Sequence, residues 1–314
     1  MSIIELSAMI LGPSYLKLIS TGEFAARIKA GYQHLLACNV CPLKCGVNRM
    51  EGELGVCKTG LLAQISSYGP HHGEEDPLRG QRGSGTIFFA RCNLHCIFCQ
   101  NADISQMGSG REVEVEELAV IMLELQEMGC HNINLVSPSH VVPQILAAVY
   151  IAGKAGLRLP LVYNSGGFDS LDMLALLEGV IDIYMPDMKY ADEVTARKYS
   201  KIPDYPLVNQ AAVREMGRQV GDLQIDALGI ATQGLLVRHL NLPNDLAGTE
   251  QILRFLAEEI SSKVYLNLMD QYRPAYKAVN YPGLNRAINR QEYQQAVEIA
   301  IKFGLKRLDV RRGY

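Results

Sequence analysis

The chain has 314 residues, 48% of them hydrophobic, with 30 basic residues against 33 acidic ones and a formal net charge of −3. That length holds one barrel-sized domain or two ordinary ones, either with a substantial core. Charges of both signs are spread along the chain, so nothing drives nucleic-acid or anionic-membrane binding, and the apolar runs are too short to span a bilayer.

The first twenty residues, MSIIELSAMILGPSYLKLIS, carry Glu5 and lack a basic leading segment. They do not read as a secretion signal, and a cytoplasmic protein is expected. Residues 1–37 read as helical. Residues 38–83 change character and are rich in Gly, Cys, Pro and charge. A turn-rich unit of this kind has little core and calls for a staple. We therefore divide the chain into an N-terminal helical and Cys-rich metal-binding module, 1–83, and a barrel, 84–314. Within the module, His71 and His72 of the GPHHGEEDP loop read as a solvated turn, with a contribution near the site as the alternative.

From residue 84 strands and helices alternate. Apolar runs at 86–90, 132–137, 161–165, 181–188, 234–242 and 263–269 read as strands. Amphipathic stretches at 116–129, 141–156, 170–179, 249–261 and 290–304 read as helices, with Thr249 as an N-cap. The stretch 206–232 interrupts this rhythm and is expected to form an extra helix and a hairpin. Six near-continuous apolar strands separated by helices predict an α/β fold with a parallel sheet, an open (β/α)6 partial TIM barrel. Polar residues gather at the C-terminal strand ends, in SPSH, NSGG, PDMK, NLPN and DQYRP. In barrel folds that edge carries the chemistry.

The eight cysteines fall as four (Cys38, Cys41, Cys45, Cys57), then three (Cys92, Cys96, Cys99), then Cys130, which ends a helix and reads as a buried thiol. Tight clusters in a chain without a secretion signal point to metal rather than to disulfides. Reduced thiolates fit a cytoplasmic, anaerobic setting. The first cluster, C-x2-C-x3-C-x11-C, can close a tetrahedral site: a zinc ion, an auxiliary iron–sulfur cluster and no metal at all remain open. The second cluster, in RCNLHCIFCQN, sits in the first strand-to-helix loop. Three thiolates there can hold three irons of a 4Fe–4S cubane and leave the fourth iron open to a non-protein ligand; three of four zinc ligands, or three cysteines merely close in sequence, are the alternatives.

C-x3-C-x-aromatic-C after a first strand resembles the signature of radical S-adenosylmethionine (SAM) enzymes, with Phe98 as the aromatic residue. The resemblance implies that SAM fills the fourth iron position and is cleaved reductively to a 5′-deoxyadenosyl radical that abstracts hydrogen from a substrate. It implies cofactor contacts for Phe98 and Asn101. The chain also resembles the pyruvate formate-lyase-activating enzymes and their PflX-type homologues. By that resemblance Ser137, Pro138, Ser139 and His140 stand where the family has Gly-Gly-Glu-Pro, and hold the SAM amino group. Asn164, Ser165, Gly166 and Gly167 match an Asp-Thr-Asn-Gly run. Met185, Asp187 and Lys189 match Met-x-Asp-x-Lys, which implies that Asp187 with Asn164 and Ser165 holds a monovalent cation or water beside the SAM carboxylate and that Lys189 neutralises that carboxylate. Arg238, His239, Asn267 and Gln271 are candidates at the last two strand ends.

The implied partners are a flavodoxin or ferredoxin-type electron donor and a protein substrate that receives a glycyl radical. Short loops leave the barrel mouth open, which suits such a partner. Modification or methylation of a peptide or small molecule is the alternative reading, and a non-catalytic iron–sulfur or zinc binding module is the third.

Overall fold

The computed structural model describes residues 12–309; the helical expectation for residues 1–11 lies outside them. Two helices, α1 (Tyr15–Thr21) and α2 (Glu23–Gln33), are joined at Gly22, whose left-handed φ of 79° ends the first and starts the second. After them, residues 38–62 hold one regular element, a 3-10 turn at Arg49–Glu51 capped by the Asn48 side chain. Strand β1 (Ala63–His71) follows, then a short helix α3 (Asp76–Arg79) and strand β2 (Ser84–Phe89). β1 runs antiparallel to β2, pairing from Ile65↔Phe89 to His71↔Ser84. The expected division at 83/84 therefore falls between two hydrogen-bonded strands of one sheet.

Beyond β2 come α4 (Ala102–Ser105) and β3 (Arg111–Val113), the latter paired with the outer edge of β1. The repeating part follows: α5 (Val115–Glu127), β4 (Ile133–Val136), α6 (Val142–Lys154), β5 (Leu161–Ser165), α7 (Leu171–Leu177) and β6 (Ile183–Pro186). The interruption is real and has the expected form. Before it comes α8 (Glu193–Ser200), which was not predicted; the stretch itself holds α9 (Tyr205–Val220) and the two-residue strand β7 (Gln224–Ile225), antiparallel to β8 (Ala231–Leu240). The chain closes with α10 (Thr249–Phe255), a π turn at Leu256–Ile260, β9 (Tyr265–Met269) and α11 (Arg290–Lys302).

β2, β4, β5, β6, β8 and β9 are parallel neighbours in that order. They are the six predicted strands, and they form an open partial barrel. Side chains alternate across each strand. Leu135, Tyr163, Tyr184 and Val237 face outward and join Leu146, Val149, Leu174, Val213 and Leu253 of the helices, all 1% exposed or less. Val162, Ile183 and Leu236 face inward, where Leu78 of α3 plugs the lower end of the barrel.

Two helix starts repay attention. Asn289 and Glu292 form a reciprocal capping box on α11. Thr249 is not an N-cap: Gly248 takes that position with φ 70°. The Thr249 amide instead donates to Asp245 Oδ1 at 2.9 Å, which frees the threonine hydroxyl for a partner on β8.

Candidate functional site

The three-cysteine loop leaves the C-terminal end of β2. Cys96 is buried, and Cys92 and Cys99 are half-buried. The Leu94 amide donates to Cys92 Sγ at 3.4 Å, the Ser200 hydroxyl donates to Cys96 Sγ at 3.0 Å, and Ser105 Oγ lies 3.1 Å from Cys99 Sγ. Phe98 packs edge-on against Tyr190 and Tyr272, with ring centroids 6.2 and 6.0 Å away. The loop is bonded into its surroundings by Ile97 N to Tyr199 O at 2.9 Å and Lys277 N to Ile97 O at 2.9 Å. The expected open edge is thus partly walled by the segments around Tyr199, Tyr272 and Leu284. Asn101 is exposed at the start of α4.

Burial pushes the Cys92 thiol up to about 12, against the pull of the Leu94 amide and of Lys189. Burial raises the Cys96 thiol as well, with Lys189 and Ser200 opposing it. Thiolates in such a place need positive charge beside them, and iron supplies it. Among the described residues no three His, Cys, Asp or Glu side chains converge on one ion. A cubane does not ask for that, because each thiolate takes its own iron. The three-sulfur donor set and its hydrogen bonds therefore fit the cluster.

Beside the loop stands a compact charged group. Lys189 Nζ is 2.5 Å from Asp187 Oδ2, Arg238 Nε is 2.8 Å from Asp187 Oδ1, and Arg238 Nη2 donates to Asn164 Oδ1 at 2.7 Å. The three charged side chains are 14–19% exposed. Burial alone would raise the Asp187 carboxyl, but Arg238 and Lys189 outweigh it and hold the group below its ordinary range. Burial would lower Lys189, but Asp187 and Cys96 outweigh it and raise the ammonium. Both stay ionised.

The loop after β5 is fitted to this group. Asn209 Nδ2 donates to Gly167 O at 3.0 Å and Asp187 O at 2.9 Å, and the Tyr205 hydroxyl lies 2.9 Å from Gly166 O and accepts from the Lys189 amide at 3.1 Å. Gly167 has φ +73°, and a Cβ there would sit 2.2 Å from Asp187 O. Only glycine meets both demands.

The segment after β4 is more structural than predicted. Ser137 has φ 60°, a left-handed backbone that glycine adopts without strain. Pro138 is buried beside it. His140 is 1% exposed, and its Nε2 lies 3.2 Å from Ala90 O at the end of β2. Burial, helped by Arg49, pushes this imidazole down to about 3, so it is neutral. Ser139 and Ser165 turn to Asp169, which sequence reasoning missed. Ser165 Oγ donates to Asp169 Oδ2 at 2.6 Å, Tyr163 OH to Asp169 Oδ1 at 2.8 Å, and Ser139 bonds the same carboxylate.

Arg238 and His239 are neighbours that point apart. Strand alternation sends Arg238 into the barrel and His239 to the helix layer. There its Nδ1 meets Met188 O at 2.7 Å and its Nε2 meets Thr249 Oγ1 at 3.0 Å. His239 therefore does not share the charged group. Gln271 is exposed and offers its carbonyl to Gln100 at 3.4 Å. Asn267 faces inward and donates to Glu75 Oε1 at 2.6 Å.

That last contact corrects the reading of the GPHHGEEDP loop. His72 is exposed, but Glu74 is 7% and Glu75 2% exposed. Both carboxylates enter the barrel from below and feel Arg238. His71 Nδ1 lies 3.1 Å from Glu74 Oε1. Burial raises both groups, but the His71 contact and Arg238 win at Glu74 and hold it below its ordinary range. At Glu75 burial wins and the carboxyl is raised. No spacing or composition signal marks these two: an acidic pair in a Gly-rich loop reads as solvated.

In the N-terminal region Cys38, Cys41 and Cys57 are buried and Cys45 is half-buried. Cys45 and Cys57 face each other across Gly55, where an added Cβ would lie 3.3 and 3.4 Å from their sulfurs. Cys130 is 2% exposed. No helix among the described residues is long and apolar enough to cross a membrane.

Comparison with known proteins bears on this edge of the barrel. The chain is 32% identical over 276 residues to an uncharacterised protein of Methanocaldococcus jannaschii, an alignment covering 85% of this chain and 75% of that one. Among solved structures, that of TYW1 with a lysine–pyruvate adduct bound is similar at a TM-score of 0.42 and 10% identity, over 69% of this chain and 73% of that one. The family model for the radical SAM superfamily matches residues 86–208, which run from β2 and its three cysteines through the strand ends that carry Asn164 and Asp187 into α9. With the cysteine loop at the head of a six-stranded parallel partial barrel, the chain belongs to the radical SAM superfamily.

Proposed function

We propose that this chain binds SAM across the ends of β4, β5, β6 and β8, and that its radical chemistry acts on a partner protein in the manner of a glycyl-radical activating enzyme. Together a three-cysteine 4Fe–4S cluster and SAM supply a 5′-deoxyadenosyl radical. The chain's own residues bind and orient. Cys92, Cys96 and Cys99 hold the irons. Lys189, kept charged by Asp187, neutralises the SAM carboxylate. Asn164 and Arg238 fix the carboxylate face of Asp187, and the backbone of Ser137 and Gly166 lines the same edge. Phe98 and its tyrosine neighbours exclude water. A small acidic electron donor of the flavodoxin or ferredoxin type is the expected reductant.

The observation that carries the reading is the Lys189–Asp187–Arg238 group held against the Cys96 loop. It is the place where a buried ammonium stands ready for a carboxylate. The test is anaerobic. The reconstituted, reduced protein is given SAM, and 5′-deoxyadenosine is measured, with the Cys92→Ala, Cys96→Ala, Cys99→Ala and Lys189→Met variants alongside. Cleavage by wild type and its loss in each cysteine variant is the expected result. Full cleavage by any one cysteine variant would sink the assignment. A stable glycyl-radical signal on a co-incubated partner tests the protein-substrate part.

One observation favours a second reading, a small polar substrate inside the barrel. Glu75 Oε2 and both side-chain polar atoms of Asn134, all buried, have no hydrogen-bond partner among the described residues. Asn134 shares the inward layer of Thr86 and Val162. A polar molecule bound there would satisfy them. Turnover of a small molecule without a protein partner would decide for this reading.

A further inference from the structure

We propose that Cys38, Cys41, Cys45 and Cys57 hold a thiolate-ligated metal centre, anionic as a whole, and that the buried guanidinium of Arg49 is its counter-charge.

Arg49 is 0% exposed. Its Nε donates to Gly60 O at 2.7 Å and its Nη1 to His140 O at 2.8 Å. Its Nη1 also lies 3.9 Å from Cys38 Sγ, and its Nη2 has no partner among the described residues. No carboxylate pairs with it among the described residues. A guanidinium keeps its charge in the interior, and burying one unbalanced is costly. Two carbonyls offer dipoles and no net charge. The remaining source of negative charge at hand is the sulfur cluster itself. Neutral thiols would leave Arg49 unbalanced. Four thiolates around zinc, or around a four-iron cluster, carry excess negative charge, and Arg49 meets it.

The local backbone agrees. The Val40 amide bonds to the Cys38 sulfur and the Leu43 amide to that of Cys41, each two residues on from its cysteine. Such N–H···S bonds are the backbone contacts that orient sulfur ligands in a metal site. Residues 38–62 bury Cys38, Val40, Cys41 and Cys57 with a single 3-10 turn as regular structure. A unit so poor in structure holds a fixed interior when metal closes it. No three of the thiols converge on one ion as they stand. A single ion draws them together, whereas a polynuclear cluster gives each thiolate its own metal. Tetrathiolate ligation is common to both, and metal analysis separates them. The His140 contact also ties this centre to the loop after β4, so metal loading and that loop's geometry share one cation.

The test uses the full chain carrying Cys92→Ala, Cys96→Ala and Cys99→Ala, which removes the other metal site. It is supplied anaerobically with iron and sulfide, or with zinc alone, and metal is counted. We expect about four irons with sulfide, or about one zinc, retained per chain. Adding Cys41→Ser and Cys57→Ser removes that metal. In the otherwise native chain, Arg49→Met loses this metal to a chelator at least ~10-fold faster than wild type, with Arg49→Lys between the two. Absence of retained metal under both conditions overturns the proposal. So does metal release from Arg49→Met at the wild-type rate. If Arg49→Met does not fold, Arg49→Lys and the metal count decide. SAM cleavage by wild type is read separately, so failure here and failure of the SAM reading are told apart.

Discussion

Lys189 Nζ stands 2.5 Å from Asp187 Oδ2, and the other oxygen of that carboxylate is taken by Arg238 at 2.8 Å. One acid thus separates two buried cations. Asp187→Asn leaves those cations facing each other without a charge between them. We expect a loss of about 3–5 kcal/mol in urea unfolding and at least ~10-fold weaker SAM binding by calorimetry. The Asp187 carboxyl sits below its ordinary range. Its contribution is therefore complete above the unfolded value of about 3.9 and is lost as pH falls through the folded value. Unchanged SAM affinity in Asp187→Asn would remove this group from the cofactor site.

Gly167 and Gly22 both have positive φ, +73° and +79°, but differ in space. Among the described residues nothing lies within 4 Å of a Cβ at Gly22, whereas one at Gly167 strikes the Asp187 carbonyl at 2.2 Å. Gly22→Ala should cost about 1 kcal/mol, from backbone strain alone. Gly167→Ala should cost more, about 2–4 kcal/mol, and impair SAM binding, because the Asp187 loop must move. Thermal unfolding of the pair, with SAM titration, checks both. Equal costs with intact SAM binding would refute the close-approach argument.

His140 is neutral in the folded chain, its imidazole pushed down to about 3 by burial and by Arg49. The unfolded chain takes up that proton near pH 6.5. The stabilisation is complete above about pH 6.5 and falls by up to ~1.4 kcal/mol per pH unit below it, towards pH 3. Denaturant unfolding at successive pH values should show this slope in wild type and a shallower one in His140→Gln. Parallel slopes would mean that the ring is protonated in place.

Glu74 and Glu75 are adjacent in sequence and opposite in behaviour. Glu74→Gln removes a charge that balances Arg238 and His71, and should destabilise by about 1–3 kcal/mol. Glu75→Gln keeps an acceptor for the Asn267 amide while removing a carboxyl whose charged form burial disfavours. It should be neutral or stabilising, by up to about 1 kcal/mol. Matched urea curves at pH 7 decide, and the reverse order would show that Glu75 carries the charge.

The six parallel strands, their helices and the place of the three-cysteine loop were legible in the chain because each rests on local order. The LVYNS run is a strand by its apolar continuity and β-branched character, and it occupies Leu161–Ser165 as read. The cysteine spacing names a donor set wherever the chain goes. Met185, Asp187 and Lys189 followed from the resemblance of their strand end to the Met-x-Asp-x-Lys run.

Tertiary structure decided what local pattern does not encode. Ala63–His71 became a strand because β2 and β3 were there to pair with it. His239 left the site because strand alternation, set by the pairing of β8, turns it away from Arg238. Asp169 became a hub for three hydroxyls, two from β5 and one from the loop after β4, and Glu74 and Glu75 were drawn from an apparent surface turn into the barrel by Arg238 and Asn267. Arg49 showed no signal at all in its own segment. Its role depends on Cys38, Gly60 and His140, up to 91 residues away. A motif fixes which chemical groups a segment carries. Whether a charge among them is solvated or buried, and against what, is a property of the distant segments that fold against it.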